Sequence, residues 1–147
     1  MVTVSIVIPA KNEADNIGQL LADIDKACAP ETDHEVIVVD DCSTDGSRQL
    51  LQSMQPALYD QLVLHERNAG KGAALRSGIA AATGMYVKVV DADDWVDPQA
   101  IDTVLATLRA QHDTDEPIDM LVTNYVYDKV AKRHKTVVNF RRVMEAG

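Results

Sequence analysis

The chain is notable first for what it lacks. No stretch of its 147 residues approaches the roughly eighteen consecutive apolar residues of a membrane-spanning helix. The opening "MVTVSIVIPAKNEADN" has neither the basic start nor the cleavage site of a secretory signal and reads directly as a strand, which points to a cytoplasmic protein. Cysteine is scarce: Cys28 and Cys42 form no metal or redox spacing and read as free thiols. Basic charge is scarce too. A formal net charge of −9 leaves no basic face for nucleic acid. There is no internal repeat and no low-complexity segment. No G-x-G-x-x-G follows the first strand. The G-x-x-x-x-G-K-[ST] pattern also fails, with His65 in place of its first Gly and Gly72 in place of its Ser or Thr.

What remains is an alternation of apolar runs and amphipathic stretches in a chain of single-domain length. "TVSIVI" (3–8), "EVIVVD" (35–40), "QLVLHE" (61–66) and "MYVKVVD" (85–91) read as strands. The stripe Ile17, Leu20, Leu21, Ile24 and Cys28 predicts a helix, with Asn12 as its N-cap. A short helix carries Leu50, Leu51 and Met54, and an Ala-rich one covers 70–84, ending at Gly84. Pro98 suits the first turn of the helix in "DPQAIDTVLATLRA". "IDMLVTNYVYD" (118–128) reads as a further strand or hairpin. Continuous apolar strands alternating with helices imply an α/β fold, a Rossmann-like, mostly parallel sheet covered on both faces. Ligands of such sheets sit beyond the carboxyl ends of the strands. The unusual residues fall there: "PAKNE" (9–13), Asp40-Asp41 and "DADD" (91–94).

In "YVKVVDADDWVDP" the carboxylates of Asp91, Asp93, Asp94 and Asp97 crowd together with no cation among them. Asp97 before Pro98 suits a helix cap, which leaves three without a structural task. Oxygen ligands without His or Cys fit a hard cation, Mg²⁺ or Mn²⁺, which usually takes further ligands from a substrate's phosphates. Ser43, Thr44 and Asp45 read equally well as a turn and cap, whereas the adjacent carboxylates of Asp40 and Asp41 exceed what a cap needs. Gly70, Gly72 and Gly78 read as a helix start with close packing, and Lys71 at a helix N-terminus makes an anion contact.

"VSIVIPAKNEADNI", "EVIVVDDCSTDGS", "ERNAGKGAALRSGIAAATG" and "VDADDWVDP", in that order, resemble the family 2 glycosyltransferases over residues 3–110. The resemblance implies the GT-A fold, an inverting transfer of sugar from a nucleotide-diphospho-sugar donor, and bound Mg²⁺ or Mn²⁺. It implies that Pro9, Ala10, Lys11 and Glu13 line a nucleoside pocket and that Asp41 bonds the base. Asn68 and Lys71 join that donor site. Asp91-Ala92-Asp93 matches the family's D-x-D, with Asp93 the favoured metal ligand, Asp91 near the ribose or diphosphate, and Asp94 an alternative ligand. A UDP-sugar is the favoured donor. The acceptor would be a saccharide or lipid-linked molecule of bacterial-type cell-surface polysaccharide synthesis.

Two departures qualify the pattern. Lys11 stands where many members have an aromatic residue beside the base. The family's general base lies on an acceptor-side segment well beyond the D-x-D, and Asp113, Asp115, Glu116 and Asp119 lack that setting. The base is therefore expected beyond Gly147, with residues 1–110 as the donor-binding core and 111–147 as a linker and the start of a truncated acceptor-side segment. An acceptor face left bare in this way would favour a homo-oligomer. Residues 129–147 carry six of the fourteen Lys and Arg but one of the 23 Asp and Glu. They read as a solvated strand or loop, or as a patch for an anionic acceptor or peripheral contact with the inner face of a membrane. The competing functions are a sugar-phosphate nucleotidyltransferase, whose Gly-rich basic loop "PAKNEADN" does not supply, and a non-catalytic nucleotide-binding fragment.

Overall fold

The computed structural model describes residues 4–28, 33–54, 57–112 and 114–123, with the backbone of 125–129 and 134–138. The first apolar run forms β1 (Val4–Ala10), buried at every position as only a central strand can be. On one side it pairs in parallel with β2 (His34–Asp40), which pairs in turn with β3 (Gln61–Leu64). On the other side it pairs with β4 (Tyr86–Val89), so the order β3-β2-β1-β4 reverses at β1. Asp40 is level with Ala10, which brings the loops after β1 and β2 to one rim. β4 stops at Val89, level with Val7, and the Val90 amide still donates to Val7 O at 3.0 Å.

Alternation along the strands divides the core between the two faces. Ile6, Ile8, Val36 and Val38 pack with Ile17, Leu20, Leu21 and Ile24 of α1 (Ile17–Ala27), Leu51 of α2 (Ser47–Met54), and Ile101, Leu105 and Leu108 of α4 (Pro98–His112). Fully burying one such aliphatic side chain contributes about 1.5–3 kcal/mol. On the opposite face α3 (Lys71–Ala81) lies against β1 and β2. A Cβ on Gly78 would come within 2.3 Å of Val7 Cγ1, so this approach admits no side chain. Helices therefore cover both faces, as the alternation implies.

Several boundaries differ from the sequence reading. The helical cap falls on Asn16, while Asn12 adopts φ 55° and turns its amide to a neighbouring loop. α3 ends at Ala81 with Ala82 as its C-cap, so Gly84 is not its cap. A Cβ on Gly84 would meet Ser5 N at 2.8 Å, and the Gly84 amide donates to Ser5 Oγ at 2.9 Å. Ser5 in turn donates to buried Glu35 at 2.6 Å, which also accepts from the Thr83 amide at 2.6 Å and its hydroxyl at 2.9 Å. Burial would raise the Glu35 carboxyl, but these donors outweigh it and hold its pKa below the ordinary value. Asp97 does cap α4, accepting from the Gln99 amide at 2.9 Å. Of the stretch 118–128, residues 118–123 form no strand, and β5 (Tyr125–Lys129) pairs antiparallel with β6 (His134–Val138). Asp113, Gly147 and most of the basic segment lie outside the described residues. Among the described residues no helix is long and apolar enough to cross a membrane.

Candidate functional site

The strand order reverses between β1 and β4, and a cavity of about 300 Å³ opens at their carboxyl ends. Pro9, Ala10, Lys11 and Glu13 line it from the end of β1 and the loop that follows. Asp41 enters from β2, and Asn68, Gly70 and Lys71 from the start of α3. Asp91, Ala92 and Asp93 close the β4 side. The residues singled out for the donor thus share one cavity, though they span more than eighty positions of sequence. Asp94 does not line it. The Asp94 amide donates to Asp91 O at 3.0 Å in a turn just outside.

Side chains bind the β1–α1 and β2–α2 loops together. Asn12 N donates to Ser43 Oγ at 2.9 Å, and Thr44 N donates to Asn12 Oδ1 at 2.8 Å. Glu13 N donates to Ser47 Oγ at 2.9 Å, and Ala14 N to Asp45 Oδ2 at 3.1 Å. Asp45 Oδ1 also accepts from Ser47 N at 2.9 Å, so Ser43, Thr44 and Asp45 serve structure, as their cap-and-turn reading has it. Lys11 adds a cationic tie: its Nζ donates to the carbonyls of Asp41 at 3.1 Å and Cys42 at 3.0 Å.

Asp41 braces the third wall. Oδ1 accepts from Ala69 N and Oδ2 from Gly70 N, both at 2.8 Å, and His65 Nδ1 lies 2.8 Å from Oδ1. Burial would raise this carboxyl, but the Ala69 amide, His65 and the Gly70 amide together keep its pKa below the ordinary value. The loop can meet it because Gly70 takes φ 86°, a conformation that disfavours any side chain. Asp40, fully buried, points elsewhere: its Oδ2 accepts from Arg48 Nε at 2.8 Å, while Oδ1 has no hydrogen-bond partner among the described residues. The two adjacent aspartates therefore do different work.

The carboxylates after β4 have a cation in space that they lack in sequence. Lys71 Nζ lies 2.5 Å from Asp91 Oδ2. Hydrogen bonding to Asp91 raises the Lys71 pKa, so the ammonium stays charged. Compensation is incomplete, since burial and then the charges of Asp91 and Asp93 raise the Asp94 carboxyl. Among the described residues no three His, Cys, Asp or Glu side chains converge as a metal cage. Oxygen donors on Asp91 and Asp93 at the cavity wall suit a hard cation that draws its other ligands from elsewhere.

Sequence reasoning missed His65, Ser77 and Arg48. His65 Nε2 lies 2.8 Å from Ser77 Oγ, and Arg48 Nη2 donates to His65 O at 2.7 Å. No local pattern marks these residues, because their partners are distant in sequence. Asp115, Glu116 and Asp119 are exposed and do not line the cavity.

The sequence model described as glycosyl transferase family 2 matches residues 5–137. The poly(ribitol-phosphate) β-glucosyltransferase of Bacillus spizizenii is 37% identical over 101 residues, which are 67% of this chain and 16% of that protein. The crystal structure of residues 1–349 of TarS from Staphylococcus aureus in complex with UDP superposes with a TM-score of 0.68 at 30% identity, covering 76% of this chain and 33% of that one. The mannosyltransferase of Pyrobaculum calidifontis with GDP-Man and Mn²⁺ gives a TM-score of 0.61 at 34% identity, covering 69% and 30%. The chain spans between about a sixth and a third of these relatives.

Proposed function

The chain belongs to glycosyl transferase family 2, and we propose that it binds a nucleotide-diphospho-sugar in the cavity between β1 and β4 as the donor part of a glycosyltransferase. The sugar would pass to a saccharide or lipid-linked acceptor, in the manner of bacterial cell-surface polysaccharide synthesis. One observation carries this reading: donor candidates from four separate segments line a single cavity at the point where the strand order reverses. Residues 1–110 supply all of them.

An ionised carboxylate offers about four acceptor sites, and protein donors occupy three of those on Asp41. The one left on Oδ2 suits a ring N–H of uracil or guanine, and UDP is the favoured carrier. TarS was crystallised with UDP and the Pyrobaculum enzyme with GDP-Man, which supports both bases. Lys71 and the N-terminus of α3 would face the diphosphate. Asp93, with Asp91 or Asp94, would hold Mg²⁺ or Mn²⁺, which when bound would neutralise charge on the diphosphate. In the transfer, the acceptor oxygen bonds to the anomeric carbon as the bond from that carbon to the diphosphate breaks. A carboxylate takes the hydroxyl proton. None of the described residues is assigned that role.

Calorimetry of the chain with UDP and GDP in Mn²⁺ tests donor binding. Transfer is tested by incubating a longer chain that also carries the acceptor-side segment with a nucleotide sugar and an acceptor. Release of the nucleoside diphosphate is expected, and release of pyrophosphate would overturn the reading in favour of nucleotidyl transfer.

A further inference from the structure

We propose that His65 is a positioning residue of the donor pocket, aiming the Asp41 carboxylate through a Ser77–His65–Asp41 relay. The inference rests on the donor-binding reading above, since Asp41 is the group it places at the base.

His65 is held on every side. Its backbone amide donates to Asp40 O at 2.9 Å and its carbonyl accepts from Arg48, which is anchored on buried Asp40. The side chain is 15% exposed, and its ring bridges Asp41 at the end of β2 to Ser77 in the middle of α3. The ionised Asp41 carboxylate only accepts, so the proton between them sits on Nδ1. With one proton on the ring, Nε2 is then an acceptor, and the Ser77 hydroxyl is placed to donate to it. Ser77 thereby selects the tautomer that Asp41 requires. Without it, the proton can move to Nε2 and leave two lone pairs opposed.

The consequence falls on the cavity. The terminal torsion of an aspartate is broad and roughly two-fold. With His65 and Ala69 on Oδ1 and Gly70 on Oδ2, one orientation satisfies all three donors, and the last acceptor site is left on Oδ2. Without the imidazole, the two loop amides alone must set that direction. A structural brace that merely supported folding would not require a particular nitrogen of the ring.

The test uses that distinction. The amide nitrogen of His65→Asn replaces Nδ1, whereas the amide of His65→Gln reaches the place of Nε2. UDP and CDP affinities of the whole chain are measured by calorimetry for wild type, both variants and Ser77→Ala, with thermal unfolding of each. In His65→Gln and Ser77→Ala, UDP affinity should fall about tenfold, the scale of one hydrogen bond to a charged group, and approach that of CDP. His65→Asn should retain most of the preference for UDP at a similar cost in melting temperature. An unchanged preference in His65→Gln and Ser77→Ala would overturn the relay, and so would equal losses in His65→Asn and His65→Gln. Wild type binding neither UDP nor GDP would instead remove the donor reading, and this inference with it.

Discussion

Lys71 Nζ stands 2.5 Å from Asp91 Oδ2, so the first residue of α3 closes on the carboxylates that follow β4. The two side chains are 59% and 35% exposed, and an ion pair in that setting contributes about 0–1 kcal/mol to stability. Lys71→Gln should therefore hardly change the melting temperature. Its effect should appear on ligand: UDP affinity should fall about tenfold while uridine affinity holds. Equal losses for UDP and uridine in calorimetry would take Lys71 away from the diphosphate.

Mn²⁺ with UDP should raise the melting temperature more than either alone, because Asp91, Asp93 and Asp94 repel one another and, among the described residues, no cage of side chains completes an ion's ligands. Asp93→Asn should abolish the increment. Asp45→Asn should lower the baseline, since Asp45 joins the two loops, yet keep the increment. A Mn²⁺ increment equal in wild type and Asp93→Asn would end the assignment.

Asp41 should make the pocket read its base. UDP is expected to bind better than CDP, and Asp41→Ala should erase the difference and also lower the melting temperature, because the amides of Ala69 and Gly70 lose their acceptor. Loss of a charged hydrogen bond is worth about 1.5–3 kcal/mol. Calorimetry that finds no preference between UDP and CDP, or GDP and ADP, in wild type would remove Asp41 from base recognition.

Glu35 gives stability a pH dependence away from the cavity. Its folded pKa is depressed below the ordinary 4.5 because the donors on it outweigh burial. The folded chain then binds the proton less tightly than the unfolded one. The stabilisation is present above 4.5 and is lost as pH falls through the depressed value. Glu35→Gln should cost about 1–3 kcal/mol at neutral pH. That cost should shrink in acid. Denaturant titrations giving the same difference at neutral and acid pH would show that the charge of Glu35 is immaterial.

Gly78→Ala should destabilise the fold by about 1–3 kcal/mol, since the new methyl would lie 2.3 Å from Val7 Cγ1 and α3 must lift from the sheet. Gly72→Ala, with open space around its Cβ, should be neutral or stabilising. Similar melting temperatures for the two variants would contradict the packing described for α3.

Much of this was legible because period and residue type are local. The buried run at β1 announces a central strand, and "DADD" announces charge at its neighbour's end. Contacts between distant segments were not legible. Nothing near Asp91 shows that Lys71, twenty residues earlier, answers its charge. His65 looked only like a failed phosphate-loop position, while its partners stand 24 and 12 residues away. Gly84 reads from sequence as a helix cap, and the fold overturns that: helix ending and close approach both favour a residue without a Cβ, and only the fold shows Ser5 beneath it.

The laced β1–α1 and β2–α2 loops bear on how such a pocket can be re-engineered. Replacing residues 11–16 alone by a foreign loop would take from Ser43 and Ser47 the amides they accept from and from the Thr44 amide its acceptor. Replacing 41–47 alone would strand the Asn12, Glu13 and Ala14 amides. Each half is thus a poor graft, and the pair moves together only if an aspartate stays at 41 to accept from the Ala69 and Gly70 amides. The heritable unit of the pocket floor is two stretches of chain about thirty residues apart, which a recombination breakpoint between β1 and β2 would separate.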